Sequence, residues 1–248
     1  MVCKGEQIMI SVIIPTYNEE KNIGACIGAV YNQTLSRSEF EIIVVDGNSK
    51  DKTVEIAQSL GATVIQQKSK GVGGARNDGA HIAYGNVIVT TDADCLPDKD
   101  WLLNIKKNFD EAEIVGLTGP YHPNIPEDMS IVESYTYRIL FRWMNSLRWV
   151  VHSVYPHLIG ANAAFKKDVF LVINGYSDLP YSDDVEIAKR LKKQGKLAFD
   201  KKVTVLYSLR RLKKYGFFKY VTIIVNNDLN VMFLSRKPKT DNYAKQDY

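Results

Sequence analysis

Asp92 and Asp94 stand one residue apart where the apolar run of Val-Thr-Thr-Asp-Ala-Asp-Cys-Leu-Pro ends, Val89 to Pro97. In an extended chain, residues i and i+2 point to one side, so both carboxylates can aim at one point. Two hard oxygens with no histidine beside them suit Mg²⁺ or Mn²⁺ that shares its shell with water and substrate phosphates. A plain polar turn would use the same residues. A second pair, Asp183 and Asp184, opens the pattern Asp-Asp-Val-Glu-Ile-Ala-Lys-Arg-Leu. Asp183 sits where an N-cap belongs, with Glu186 three residues on, as in a capping box. Asp184, at the first helical position, is kept ionised by the helix dipole. It can take a proton from a hydroxyl nucleophile.

Two further segments carry candidates. Asp46 directly follows Ile42-Ile43-Val44-Val45. Asp51 has a capping task on the next helix, which leaves Asp46 to accept from a base N–H or a ribose hydroxyl. Lys70 to Ala80 reads Lys-Gly-Val-Gly-Gly-Ala-Arg-Asn-Asp-Gly-Ala. It starts like a dinucleotide fingerprint, but its sixth position is Arg76 and it follows a third strand, so a Rossmann oxidoreductase is excluded. A glycine-rich entry to a helix still suits a diphosphate, and Arg76 adds a charge-assisted contact.

The elements that must position these groups alternate in the first half. Strands are expected at Ile8–Ile14, Glu41–Val45, Thr63–Ile65 and Val87–Val89. Helices are expected from an Asn18 cap to Gln33, from Thr53 to Leu60 and from Gly74 to Tyr84. Such repeats imply a mostly parallel sheet covered by helices. Right-handed crossovers place the strand C-termini on one edge, where ligands bind in open sheets. Beyond residue 120 the pattern is less regular. A helix is expected over Ile131–Val151, a strand over Gly160–Phe165, a helix over Asp183–Lys193 and two short strands over Leu197–Tyr207. Gly216–Leu234 reads as an amphipathic helix, and 237–248 as a polar tail. One domain is expected over 1–236, with a nucleotide half at about 8–120 and an acceptor half at about 121–215.

Composition narrows the class. The 248 residues are 45% hydrophobic and 24% charged, which excludes disordered and collagen-like chains. Three widely spaced cysteines show no disulfide or zinc pattern and point to a reducing, cytoplasmic setting. The N-terminus shows no signal-like apolar stretch. The net charge of +4 is uneven: residues 201–248 hold eleven Lys/Arg against three Asp/Glu, a surplus of +8, so the first 200 net −4. Ser134 through Lys167 contains no acidic residue. Within that span and just before its helix end, Tyr135, Arg138, Phe141, Arg142, Trp143, Arg148 and Trp149 mix aromatic and basic character. That mix suits an interfacial surface or a sugar-stacking wall; packing as core beneath the acceptor side is the expectation.

Taken in order, six segments resemble the family 2 glycosyltransferases, which have the GT-A fold. They are Ser-Val-Ile-Ile-Pro-Thr-Tyr-Asn-Glu-Glu, Ile-Ile-Val-Val-Asp-Gly-Asn-Ser-Lys-Asp, Lys-Gly-Val-Gly-Gly-Ala-Arg, Thr-Thr-Asp-Ala-Asp-Cys, Gly-Ala-Asn-Ala-Ala-Phe and Ser-Asp-Asp-Val-Glu. The resemblance covers about Ser11 to Tyr215. It implies that Pro15, Thr16, Tyr17 and Glu19 line the base and ribose pocket, that Asp46 pairs with the base, and that Arg76 lies by the nucleotide. It implies Asp92 on ribose or metal, Asp94 on the divalent ion, and Asp184 as base. Glutamate is commoner in the family at position 183, so Asp183 shares the candidacy. Ser208-Leu-Arg210-Arg211 is similar to a basic segment near the diphosphate, and Asn162 falls in the acceptor-side segment. The implied activity is inverting transfer from a UDP- or GDP-sugar to a hydroxyl, on a glycan or lipid-linked glycan. A polyprenyl-phosphate acceptor is the alternative, and a Mg²⁺-dependent nucleotidyltransferase or a non-catalytic nucleotide-binding module the more distant ones. No nucleic-acid partner is expected. Peripheral contact with the cytoplasmic membrane face is.

Overall fold

A computed structural model of the chain describes residues 8–111, 113–155, 157–179 and 182–216, together with residues 219, 222 and 226. The helix expected over Gly216–Leu234 and the tail at 237–248 lie outside these, apart from the three isolated positions. The elements run β1 (Ile10–Thr16), α1 (Ile23–Tyr31), β2 (Phe40–Asp46), α2 (Thr53–Ser59), β3 (Thr63–Gln66), α3 (Gly71–Ile82), β4 (Val87–Thr90), β5 (Leu96–Pro97), α4 (Trp101–Phe109), β6 (Ile114–Thr118), β7 (Tyr121–Asn124), α5 (Ile131–Val154), β8 (Ala163–Lys166), α6 (Lys167–Val172), α7 (Asp183–Leu191), β9 (Lys196–Phe199), β10 (Val205–Ser208) and α8 (Arg210–Tyr215).

Seven strands form one sheet in the order β3-β2-β1-β4-β8-β6-β9. The pairs β3–β2, β2–β1, β1–β4 and β6–β9 are parallel. β8 runs antiparallel to both β4 and β6. The sheet is therefore mostly parallel, as its βα repeats imply. β1, β2 and β4 are buried on both faces, which is why they read as continuous apolar runs. Period-two alternation divides the core. Val12, Ile14, Ile42, Val44 and Val89 face one helix layer. Ile13, Ile43, Val45 and Ile88 face the other. Each such side chain contributes about 1.5–3 kcal/mol on burial. A second sheet, β5-β10-β7, has three short strands.

The helix expected from Asn18 starts only at Ile23. Asn18 takes a left-handed φ of 53° and ties two loops together instead. Its Oδ1 accepts from Lys50 N at 2.8 Å, and its own N–H donates to Ser49 Oγ at 2.8 Å. Asp51 extends the tie, accepting from Thr53 N and from Glu20 N. The loops after β1 and β2 thus form one cross-braced unit at the sheet edge.

The aromatic-rich helix is present, yet its aromatics do not pack as core. Phe141 is 1% exposed, but Tyr135, Trp143 and Trp149 are 66, 60 and 50% exposed. The inward face of α5 is instead polar in part. Asn145 donates to the Tyr121 carbonyl at 2.7 Å, and the Arg148 guanidinium lies 4.3 Å over the Tyr121 ring.

Candidate active site at the strand ends

Thr91 N donates to Ile13 O just past β4, so the chain is still sheet-bound when it reaches Asp92. It then turns, with Cys95 N donating to Asp92 O at 3.0 Å. The turn, and not an extended segment, brings the carboxylates together. One ligand atom each of Asp92, Asp94 and Cys95 lies within 4.8 Å of the others. Burial pushes the Asp94 carboxyl above its ordinary range, and Asp92 adds to this; Arg210 opposes it. Burial also holds the Cys95 thiol well above its usual range, with Asp92 and Asp94 adding to it. The hard donors of the cluster are the carboxylate oxygens of Asp92 and Asp94. That set fits Mg²⁺ or Mn²⁺.

Arg210, at the start of α8, spans the mouth of this cluster. Its guanidinium meets Glu19 Oε1 at 2.7 Å and Asp94 Oδ2 at 3.2 Å. Glu19 is held in turn by Asn22 Nδ2 at 2.6 Å. Pro15, Tyr17, Glu19, Asp92, Asp94 and Arg211 line the space around Arg210, and only about 20 Å³ of it is left open. That holds roughly one water. Arg210 therefore fills the space between Glu19 and the Asp92–Asp94 carboxylates.

Arg76 lies deeper. It is 4% exposed, so it is no surface arginine. Its Nη2 donates to Asp92 Oδ1 at 2.9 Å, and its Nη1 lies 3.6 Å from Asp183 Oδ2. The guanidinium carbon stands 5.3 Å over the Tyr176 ring. The sequence reading aimed Arg76 at the nucleotide; the structure spends it on two carboxylates. The neighbouring glycines follow from this. A Cβ at Gly73 would meet Asp183 Oδ2 at 2.8 Å, and one at Gly160 would meet Arg76 Nη1 at 2.5 Å. The glycine-rich entry to α3 makes room for a carboxylate, which is a different use from cradling a diphosphate.

The second aspartate pair enters through Ser182, in the left-handed region at φ 56°. Ser182 takes the N-cap position that Asp183 was expected to fill. Glu186 does not close a capping box either: it binds Arg190 at 2.5 Å and Ser177 Oγ at 2.8 Å. Freed from capping, Asp183 is 8% exposed beside Arg76, and Asp184 is half-buried. Asp184 Oδ2 accepts from Gly160 N at 3.3 Å. Burial raises both carboxyls above the ordinary range; Arg76 opposes this at each, and the Gly160 N–H opposes it at Asp184.

Two expected site residues have other work. Asn162 is fully buried. Its Oδ1 accepts from Trp101 Nε1 at 2.8 Å, and its Nδ2 donates to Val203 O at 2.9 Å and Pro120 O at 3.3 Å. Both amide N–H groups and the carbonyl oxygen are engaged inside the core, which corrects its expected contact with diphosphate or acceptor. Asp46 Oδ2 accepts from Asn48 N and Ser49 N, both at 3.0 Å, and Oδ1 from Ser49 Oγ at 2.5 Å and Thr16 Oγ1 at 3.3 Å. A carboxylate has about four acceptor sites, and all are engaged in the turn. Gly160, Tyr176 and Thr90 were missed. Thr90 Oγ1 fixes the Gly160 carbonyl at 2.7 Å. Only the small-residue run around Gly160 hinted at a close approach.

A mostly parallel sheet that gathers acidic side chains at its carboxyl edge defines the architecture as GT-A. The solved mannosyltransferase PcManGT from Pyrobaculum calidifontis, in complex with GDP-Man and Mn²⁺, shares that fold, with a TM-score of 0.72 and 24% identity over 96% of this chain and 66% of its own. The chain belongs to glycosyl transferase family 2, whose model matches residues 11–173. It is similar to glycosyltransferase AglE of Haloferax volcanii, 39% identical over 99 residues, 38% of this chain and 33% of that protein. It is also similar to the dolichyl N-acetyl-α-D-glucosaminyl phosphate 3-β-D-2,3-diacetamido-2,3-dideoxy-β-D-glucuronosyltransferase of Methanococcus voltae. That match is 34% identical over 136 residues, 49% of this chain and 41% of the relative. The chain thus spans a third to two-fifths of these two relatives. Among the described residues, no helix is long and apolar enough to cross a membrane.

Proposed function

We propose that the chain is an inverting glycosyltransferase that moves a sugar from a UDP- or GDP-sugar to a hydroxyl on a glycan or lipid-linked glycan. The observation that carries this reading is Arg76, which joins the Asp92–Asp94 cluster to the Asp183–Asp184 pair through one buried guanidinium. A donor site and a base site tied this closely suit a reaction in which one group leaves as another attacks. Pro15, Thr16, Tyr17 and Glu19 border the nucleotide, with Asp46 shaping the turn beside it. Asp94 and Asp92 would hold Mn²⁺ or Mg²⁺, which neutralises charge on the diphosphate as it departs. Arg210 leaves Asp94 as the donor arrives and turns, with Arg211, to the diphosphate, an electrostatic role.

Asp184 accepts the proton of the attacking hydroxyl. Gly160 N–H orients it, and its half-exposed face is the one an acceptor can reach. Arg76, between Asp92 and Asp183, offsets part of the negative charge of the two sites. Attack from the face opposite the diphosphate inverts the anomeric carbon. A lipid-linked acceptor agrees with the name of the Methanococcus voltae relative. A polyprenyl phosphate, already ionised, would leave Asp184 without a task.

A thermal-shift screen of nucleoside diphosphates with and without Mn²⁺ tests the reading. UDP or GDP plus metal should raise the melting temperature, and Asp94→Ala should abolish the metal-dependent part. A response only to nucleoside triphosphates would favour a nucleotidyltransferase, and no response to any nucleotide would end the proposal.

A further inference from the structure

α5 has a packed, partly polar face and an apolar face opposite it. One carries Phe141 into the core. The other carries Val132, Tyr135, Ile139, Trp143, Leu147 and Val150, spaced three and four apart and between 49 and 75% exposed. From Val132 to Val150 this seam runs about 27 Å at 1.5 Å per residue. A contiguous exposed patch of this extent marks a contact surface.

Charge identifies the partner. Arg138 and Arg142 flank the seam and are exposed. Lys201 Nζ lies 4.1 Å over the Trp149 ring at its far end. No acidic residue occurs from Ser134 through Lys167. A second copy laid seam to seam would bring both sets of arginines together with no carboxylate on the seam to offset them. Anionic headgroups satisfy the arginines, and the acyl boundary takes the aliphatic and indole groups. A groove of about 580 Å³ opens at the N-terminal end of the same surface, lined by Ile125, Met129, Ile131 and Tyr135 with Glu127 and Arg138 of opposite charge.

We propose that α5 docks the protein on an anionic lipid bilayer through its outward seam, with Arg138 and Arg142 on the headgroup phosphates. The surface lies close to the candidate site. α5 packs on β7, whose Asn124 pairs with Ser208, two residues before Arg210. What the docked protein glycosylates rests on the proposed function; the docking does not.

The test is co-sedimentation of the 248-residue chain with phosphatidylcholine vesicles, with and without phosphatidylglycerol, at low and high salt. The chain should bind the anionic vesicles, and salt should release it. Brominated lipid should quench Trp143 and Trp149 and spare Trp101, which is fully buried. Arg138→Gln/Arg142→Gln should bind roughly thirtyfold more weakly. Ile139→Ser/Trp143→Ser should bind at least about tenfold more weakly and keep any nucleotide-dependent thermal shift. Equal binding to neutral vesicles, or full binding by both variants, would overturn the proposal. So would a dimer that the seam variants dissolve. Vesicle binding without any nucleotide response would support the docking and count against the proposed function alone.

Discussion

From β1 to β4, each site carboxylate sits within a few positions of a buried parallel strand. Asp46 ends β2, Asp92 follows β4 by two residues, and the Thr16–Glu19 turn leaves β1. Between α5 and α7 the same edge of the molecule is built without such strands. Gly160 lies in a 3₁₀ turn, and Asp183 and Asp184 open a helix entered through a left-handed serine. The first region places its carboxylates by topology. The second places them by single contacts: Gly160 N to Asp184, Thr90 Oγ1 to Gly160 O, Arg76 to Asp183. Arg76 belongs to the first region and binds a carboxylate of each.

The contrast can be broken most directly at Asp184. Asp184→Asn keeps the shape and the Gly160 contact but removes the proton acceptor. Turnover should fall by about 10²–10⁴-fold, the usual worth of a general base, while metal-dependent nucleotide binding is unchanged. Calorimetry beside steady-state rates separates the two. In the parent protein, burial raises both carboxyls of the pair. Activity should therefore rise with pH along an acid limb that lies above the ordinary carboxylate range and reports the pair together. Near-normal turnover by the variant would mean that the acceptor arrives already ionised.

Arg76→Gln probes the joint itself. Buried Asp183 and partly exposed Asp92 would lose their cation at once, and removing one partner of a buried ion pair costs about 3–5 kcal/mol. Urea unfolding should show that loss. Arg76→Lys should recover part of the stability without restoring turnover, since one ammonium cannot reach Asp92 and Asp183 in the geometry of a planar fork. If Arg76→Gln keeps its stability and loses only donor affinity, Arg76 serves the nucleotide and the two regions are independent.

How much of this was legible follows the same division. The β1–β4 region could be read because continuous apolar runs, helix stops and turn residues all fall in order along the chain. The β8 strand could be read as a strand, but its place between β4 and β6 depends on antiparallel pairing with residues 45 to 79 positions away, which local pattern does not encode. Phe141 and Trp143 look alike in sequence, yet opposite faces of one helix give them opposite fates. The burial of Arg76 was not legible for a similar reason. Arg76 is buried by Gly160, Tyr176 and Asp183, all 84 or more residues downstream. Asn162, amid small residues, gave no local sign that Trp101 and Val203 would use its amide.

The finest test concerns Asp46, where the two accounts of one residue differ. Its chain position suits contact with a base, yet its four acceptor sites are filled by Thr16, Asn48 and Ser49. Asp46→Asn removes charge from these hydrogen bonds, each worth about 1.5–3 kcal/mol when one partner is ionised. It puts a donor where Ser49 N–H or its hydroxyl now points. If Asp46 only shapes the turn, the variant should lose about 1–3 kcal/mol of stability, and all nucleoside diphosphates should weaken together. If it also reads the base, the preference among UDP, GDP and ADP should change while stability falls no further. Titrating the three diphosphates into parent and variant decides between a turn that positions the pocket and a side chain that selects its occupant.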